Sequence, residues 1–356
     1  MQHYRIAVIP GDGIGQEVTP VGLEVLEAAA QETGSFQLET ESFPWGSDYY
    51  LQHGQMMPDN ALKTLESFDA IYFGAVGFPT VPDHITLWQL RLAICQGFDQ
   101  YANVRPSLLL PGVSGPLKNK APGDIDFVVV RENTEGEYSG AGGRVHRGLP
   151  LEMAVQTAIF TRAGVERVIR FAFELARSRP RKRLANVTKS NAQAHAFTLW
   201  DEVFDEVARD YADVWTERVL VDAMAARFVL KPESLDVLVA SNLFADILTD
   251  LGGAISGSLG MAPSGNLNPE RRYPSMFEPV HGSAPDIYGK GIANPIAMIW
   301  CGAMMLEFLG QREAADLIVG AIHSVTSKGK VLTPDVGGRA NTREVTDAIL
   351  SAVRAH

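Results

Sequence analysis

The stretch Asn242-Leu243-Phe244-Ala245-Asp246-Ile247-Leu248-Thr249-Asp250 comes directly after a short apolar run at residues 237–240. That order predicts a strand followed by a helix, so Asp246 and Asp250 project from one helix face about one turn apart. Two like charges so placed repel. A hard divalent cation such as Mg²⁺ or Mn²⁺ would turn the repulsion into binding, because it prefers oxygen ligands and takes few carboxylates. The residues alone leave a solvated pair of aspartates equally open. A second group, Arg131-Glu132-Asn133-Thr134-Glu135-Gly136-Glu137-Tyr138, sets an arginine at the end of an apolar run and a tyrosine in the glycine-rich loop beyond it. Thr188-Lys189-Ser190-Asn191 repeats the arrangement with a lysine. Open α/β sheets assemble their sites at strand ends, so these arginine, tyrosine, lysine and aspartate side chains can meet in one cleft.

The elements that would carry them are legible in the pattern of apolar residues. Residues 4–10 read as a strand, Gly11 to Gly15 as a turn, and 17–32 as a helix with Val18, Val21, Val25 and Leu26 on one side. Further strands are expected at 68–74, 125–131, 184–188 and 237–240, with helices at 162–177 and 192–211 between them. Strands alternating with helices predict an α/β fold with a largely parallel sheet. Two stretches break the rhythm. Residues 136–148 are rich in glycine and should form a loop or projecting hairpin. Residues 256–295 are dense in Gly and Pro, and so long an aperiodic stretch in an enzyme is expected to serve function. The basic run Arg179 to Arg183 reads as a solvated helix end entering a strand.

Gly11-x-Gly13-x-Gly15 after a strand invites a dinucleotide-binding reading. The third glycine arrives one residue early, however, and Glu39 and Glu41 lie at the wrong distance for a ribose contact. A tight β-to-α turn alone selects such glycines.

Composition narrows the classes. The chain has 356 residues, 46% hydrophobic and 21% charged, enough to bury a large core and far from a disordered balance. A formal net charge of −11 excludes a nucleic-acid footprint or an anionic membrane surface as the main partner. A negative chain that binds a negative substrate must concentrate arginine locally. Cys95 and Cys301 are far apart and lack metal-ligand spacing, which argues for a reducing compartment without disulfides. No apolar run is long enough to span a bilayer, so a cytoplasmic protein is expected.

Taken in order, Asn103-Val104-Arg105-Pro106, Arg131 through Tyr138, Thr188 through Asn191, Asn242 through Asp250 and Glu278 through Asn294 resemble the β-decarboxylating dehydrogenase family, which includes isocitrate, isopropylmalate, D-malate and tartrate dehydrogenases. The resemblance covers essentially the whole chain and is strongest toward the tartrate and D-malate branch. It implies two lobes, a larger one from residues 1–103 and 256–356 and a smaller one from 104–255 carrying the glycine-rich arm. It further implies a divalent metal, Mg²⁺ or Mn²⁺, held by Asp246 and Asp250 together with Asp222 from a second copy, with K⁺ as an accessory ion. Lys189, likewise offered across a homodimer interface, would be the base, and Tyr138 would protonate the carbon left when CO₂ departs. Arg105 and Arg131 would hold substrate carboxylates. Many relatives carry another arginine about ten residues before Arg105, where this chain has Cys95; Arg91, about one helical turn earlier, is the expected replacement if a local insertion restores the match.

The segment His281-Gly282-Ser283-Ala284-Pro285-Asp286-Ile287, with Asn294, resembles the part that wraps the adenosine half of the cofactor. Asp286 can accept from both ribose hydroxyls but repels a 2′-phosphate, favouring NAD over NADP. Bulky Trp88 beside polar His84 suggests a substrate with only hydrogen or hydroxyl on C3, hence D-malate or tartrate; a 3-isopropylmalate enzyme is the alternative. A non-catalytic regulatory subunit would have lost part of the lysine, tyrosine and aspartate set, and this chain keeps all of it. A phosphotransferase reading fails for want of any Gly-x-x-x-x-Gly-Lys-Ser/Thr loop.

Overall fold

Short runs of β-branched and aromatic residues that are apolar on both faces belong in the interior of a sheet. The computed structural model, which describes residues 1–355, places them there. Its strands are β1 Gln2–Gly11, β2 Phe36–Ser42, β3 Ala70–Ala75, β4 Ala102–Leu108, β5 Asp126–Glu132, β6 Gly142–Val145, β7 Met153–Gln156, β8 Arg183–Thr188, β9 Trp215–Leu220, β10 Val237–Ala240, β11 Gly265–Leu267 and β12 Ser275–Phe277. Ten of them form one sheet in the order β2-β1-β3-β12-β11-β4-β5-β10-β8-β9. Two parallel blocks, β2-β1-β3-β12 and β5-β10-β8-β9, are joined by β11 and β4, which run antiparallel to their neighbours. The blocks therefore point in opposite directions, and the functional residues gather over the antiparallel centre.

Successive side chains of β1 and β3 enter two different apolar clusters, as the period of two requires. Ile6, Val8, Ala70 and Tyr72 join the larger cluster; Ala7, Ile9, Ile71 and Phe73 join a smaller one with Phe43, Trp45, Phe68 and Phe98. The larger cluster extends from helix Gly15–Thr33 to helix Arg162–Ser178. Sheet and core thus continue across residues 103 and 104, while the arm stands apart. Strands β6 and β7 pair as a two-stranded ribbon, the hairpin expected from the glycines, with Val145, Leu149, Leu151, Met153 and Val155 exposed.

Two expectations need correcting. Residues 256–295 are not irregular throughout, because β11 and β12 insert from that segment into the middle of the sheet. The helix expected at 192–211 is shorter, Ala196–Ala208. The basic run is exposed from Pro180 to Arg183, between the end of helix Arg162–Ser178 and the start of β8, as expected; Arg179 alone turns inward, its Nε donating to the buried Asp236 Oδ1 at 2.6 Å and its Nη2 to Asp126 Oδ1 at 2.9 Å. Among the described residues no helix is long and apolar enough to cross a membrane.

Candidate active site

A row of polar side chains crosses the centre of the sheet. Asn103 in β4 lies opposite Arg131 in β5 and Asn266 in β11, and Asn266 lies opposite Met276 in β12. Residues two apart on a strand share a face, so Arg105 and Glu278 fall on the same row. Hydrogen bonds link it: Arg105 Nε to Asn103 Oδ1 at 2.7 Å, Asn103 Nδ2 to Asn266 Oδ1 at 2.9 Å, and Asn266 Nδ2 to Glu278 Oε1 at 2.7 Å. Above this row is a cavity of about 170 Å³ lined by Arg91, Arg105, Arg131, Tyr138, Asp246 and Glu278, among others. The local concentration of arginine expected of an acidic chain is here.

Three buried guanidiniums in one place strain their own charge. Burial, with Arg131 beside it, lowers the Arg105 pKa to about 10. Asp246 balances them. Its Oδ1 accepts from Arg131 Nη1 and, at 3.4 Å, from Arg105 Nη1, while its Oδ2 accepts from the Tyr138 hydroxyl at 3.1 Å. Burial alone would raise its pKa, but Arg131, Arg105 and Arg91 outweigh that and lower it to about 2. Asp250, one turn on, is pushed up by burial and by the Asp246 charge. Arg131 is fixed from the other side by Asn242, whose Oδ1 accepts from Nε at 2.9 Å and Nη2 at 2.7 Å. Tyr138 sits in a 3₁₀ turn, Glu137–Ser139, and its phenol pKa is raised by burial and by Asp246.

Arg91 reaches the cavity because the helical segment 83–97 contains a π turn, Leu87–Arg91, between its α-helical ends. A π turn accommodates one extra residue relative to an α-helical turn. Arg91 Nε donates to Glu278 Oε1 at 2.7 Å and Nη2 to Asn266 Oδ1 at 3.3 Å, whereas Cys95 is buried in the smaller apolar cluster. Trp88 and His84 do not line the cavity. Trp88 packs against Gly140, His84 is exposed, and Leu87 takes the cavity wall instead. The π turn rotates neighbouring side chains away from the facing expected of a plain helix.

Of the proposed cofactor segment, His281 and Gly282 border the same cavity. Burial lowers the His281 pKa, and its Nε2 has no partner among the described residues. The loop is held by the glycine turn: Ile14 N donates to Ser283 O at 2.9 Å, and a side chain on Gly13, φ +52°, would strike that carbonyl. The turn is anchored in turn by Asp12, which accepts from Ser47 N at 2.6 Å and Gly77 N at 2.8 Å. Ala284 adopts φ +41°, Asp286 is exposed, and Asn294 Oδ1 accepts from Ile296 N at 3.1 Å at the start of helix Ile296–Phe308.

Lys189 and Asp222 lie elsewhere. Lys189 Nζ donates to Asp222 Oδ1 at 2.5 Å, which holds the Asp222 pKa down, and neither residue lines the cavity. Among the described residues no three His, Cys, Asp or Glu side chains converge as a metal site. One chain therefore assembles the arginines, Tyr138 and Asp246, and carries a separate Lys189–Asp222 pair. Asp246 borders the cavity, whereas Asp250, one turn on, is exposed and does not line it. Glu278, Asn266 and Leu87 were assigned no role in the sequence reading. A carboxylate closing the apolar strand Met276-Phe277 was the available signal for Glu278, since a charge there needs a buried partner.

Comparison with known proteins agrees over the whole chain. The family model described as isocitrate/isopropylmalate dehydrogenase matches residues 5–349. A probable tartrate dehydrogenase/decarboxylase of Agrobacterium vitis is 62% identical over 353 residues, covering 99% of this chain and 98% of that protein. The decarboxylating D-malate dehydrogenase of Escherichia coli K12 is 56% identical over 360 residues, covering 99% of each. Among solved structures, the isocitrate dehydrogenase of Methylococcus capsulatus superposes with a TM-score of 0.88 at 35% identity, covering 99% of both chains.

Proposed function

The chain belongs to the isocitrate/isopropylmalate dehydrogenase family, and on that premise we propose that it catalyses NAD-dependent oxidation and decarboxylation of D-malate or a tartrate. The observation that carries this reading is the small cavity ringed by Arg91, Arg105 and Arg131, with Tyr138 and Asp246 at its edge. Three guanidiniums suit a ligand with two carboxylates, each able to take paired N–H donors.

In this reading Arg105 and Arg131 grip and orient the substrate. Lys189 accepts the C2 hydroxyl proton, and Tyr138 donates a proton to the carbon that has lost CO₂. Because Lys189 and Asp222 stand away from the cavity of their own chain, a homodimer would bring this pair to the partner's site. The apolar side chains of the exposed arm favour such an assembly. Asp246, Asp250 and the partner subunit's Asp222 would hold Mg²⁺ or Mn²⁺, which supplies Lewis-acid stabilisation of the oxygen on C2. Residues 281–286 and Asn294 would hold NAD, which supplies the hydride acceptor, with Asp286 selecting against a 2′-phosphate.

The test is NADH formation with D-malate, L- and meso-tartrate, isocitrate and 3-isopropylmalate in the presence of Mn²⁺ and K⁺. D-malate or a tartrate is expected to give the highest kcat/KM, and Lys189→Ala to abolish turnover. Preference for 3-isopropylmalate would overturn the substrate assignment. Inactivity with the whole panel would favour the regulatory-subunit reading.

A further inference from the structure

We propose that Gln96 is a positioning residue for Tyr138, acting through the backbone of the turn that carries the phenol. The inference rests on the reading of Tyr138 as the proton donor. The turn Glu137–Ser139 lies between two glycines in the left-handed region, Gly136 at φ +70° and Gly140 at φ +77°. Such flanks let a three-residue turn pivot, although backbone bonds between Gly136 and Ile159 hold its first end. From the arm, Gln156 Nε2 donates to Glu137 O at 2.9 Å and the Ser139 hydroxyl donates to Thr157 O at 3.3 Å. These bonds tie the turn to β7, which projects outward.

The opposing contacts come from helical segment 83–97, the same segment that carries Arg91. Gln96 Nε2 donates to Tyr138 O at 2.7 Å. Eight residues earlier the Trp88 ring lies against Gly140, so close that an added Cβ would stand 3.1 Å from Cζ3 and 3.3 Å from Cη2. Tyr138 is thus pegged at its carbonyl by Gln96, and its hydroxyl meets Asp246 Oδ2 at 3.1 Å. The ring between is 5.3 Å from the Arg131 guanidinium carbon. One segment therefore sets both a carboxylate-binding arginine and the proton donor, which couples substrate grip to phenol placement. Trp88 acts on the same turn and so bears on proton delivery rather than on the size of the C3 group.

The proton step can be isolated by running it backward. In D₂O with Mg²⁺ and NADH, the phenoxide form of Tyr138 takes a methyl proton from pyruvate, the C–H electron pair becomes the C–C π bond of the enolate as the carbonyl pair moves onto oxygen, the phenol exchanges its proton with D₂O, and return of the deuteron forms the C–D bond and regenerates the phenoxide. Loss of the methyl signal by ¹H NMR reports this exchange, and NADH-dependent reduction of oxaloacetate reports hydride transfer separately. Gln96→Leu is expected to slow exchange by about tenfold, since ångström-scale misplacement of a catalytic group is costly, while reduction stays within about twofold. Gln96→Glu keeps the shape but sets a carboxylate against the Tyr138 carbonyl, and should slow exchange further.

Adding Gln96→Leu to Tyr138→Phe should produce no additional loss, because a residue acting through Tyr138 has nothing left to act on. Thermal unfolding shows that each variant is folded. Unchanged exchange in Gln96→Leu, beside slowed exchange in Tyr138→Phe, overturns the Gln96 proposal alone. Unchanged exchange in Tyr138→Phe overturns the proton-donor reading and this inference with it. Equal loss of exchange and reduction, or a double variant slower than Tyr138→Phe, makes Gln96 a general structural residue and also refutes the proposal.

Discussion

Arg91 pairs with Glu278 and, in the proposed function, also grips a substrate carboxylate; removing it with and without Glu278→Gln should divide the two duties. Arg91 is 7% exposed and Glu278 is 5% exposed, with Nε and Oε1 2.7 Å apart. Burial opposes the Arg91 charge, but Glu278, Cys95 and Asp246 together outweigh it and raise the Arg91 pKa. Arg91→Leu leaves the Glu278 carboxylate buried and uncompensated, which typically costs about 3–5 kcal/mol. Asn266 still donates to Oε1 at 2.7 Å, so a loss near the lower end, about 3 kcal/mol, is expected. Glu278→Gln in the same chain removes the charge, keeps an acceptor for Asn266, and should restore most of that stability.

Substrate binding should not recover with it. A charge-assisted bond from guanidinium to carboxylate contributes about 1.5–3 kcal/mol, which corresponds to roughly 10- to 150-fold in kcat/KM for D-malate. Parent, single and double variants would be compared by urea unfolding at one subunit concentration and by initial rates. A double variant that regains both stability and kcat/KM would reduce Arg91 to a structural ion pair. A single variant losing under about 1 kcal/mol would refute the buried-charge reasoning itself.

Two further outcomes follow from backbone and burial. Gly13→Ala forces a side chain onto Ser283 O at φ +52°; it should raise KM for NAD while leaving the protein folded, and an unchanged KM would mean that the 283–286 loop does not touch the cofactor. Glu132 is 1% exposed, and burial, opposed by bonds from Thr134 and Glu135, raises its pKa from 4.5 to about 7. Between those values the native chain holds a proton that the unfolded chain has lost, so this group makes stability fall as pH rises from 4.5 to 7 and leaves it flat above. Glu132→Gln should flatten that window by up to about 3 kcal/mol, and parallel pH profiles for parent and variant would sink the assignment.

How much was legible depended on how local the cause was. β10 was read with its observed bounds because Val237 to Ala240 is a buried apolar run closed by Ser241, and helix Arg162–Ser178 was placed to within a residue by its apolar stripe. β11 and β12 were missed, since three residues each in a Gly- and Pro-rich stretch carry no period; only pairing with β4 and β3 makes them strands. The same division holds at the site. Arg105, Arg131, Tyr138 and Asp246 could be named from residue type and position, and they share the cavity. Asn266 could not, because its meaning lies in cross-strand register; Glu278 stood in a motif without a role, although its charge beside an apolar run was a signal; and Trp88 was misplaced because a π turn leaves no mark in helical spacing.

The sheet order has a consequence for biosynthesis. β12 and β11 occupy the gap between β3 and β4, yet they are translated more than 150 residues after β4. Until the ribosome has delivered them, the facing edges of β3 and β4 stay bare, and bare edges recruit other chains. The nascent protein therefore passes a large part of its synthesis with the centre of its future sheet split open, and that is the interval in which chaperone protection is expected to matter.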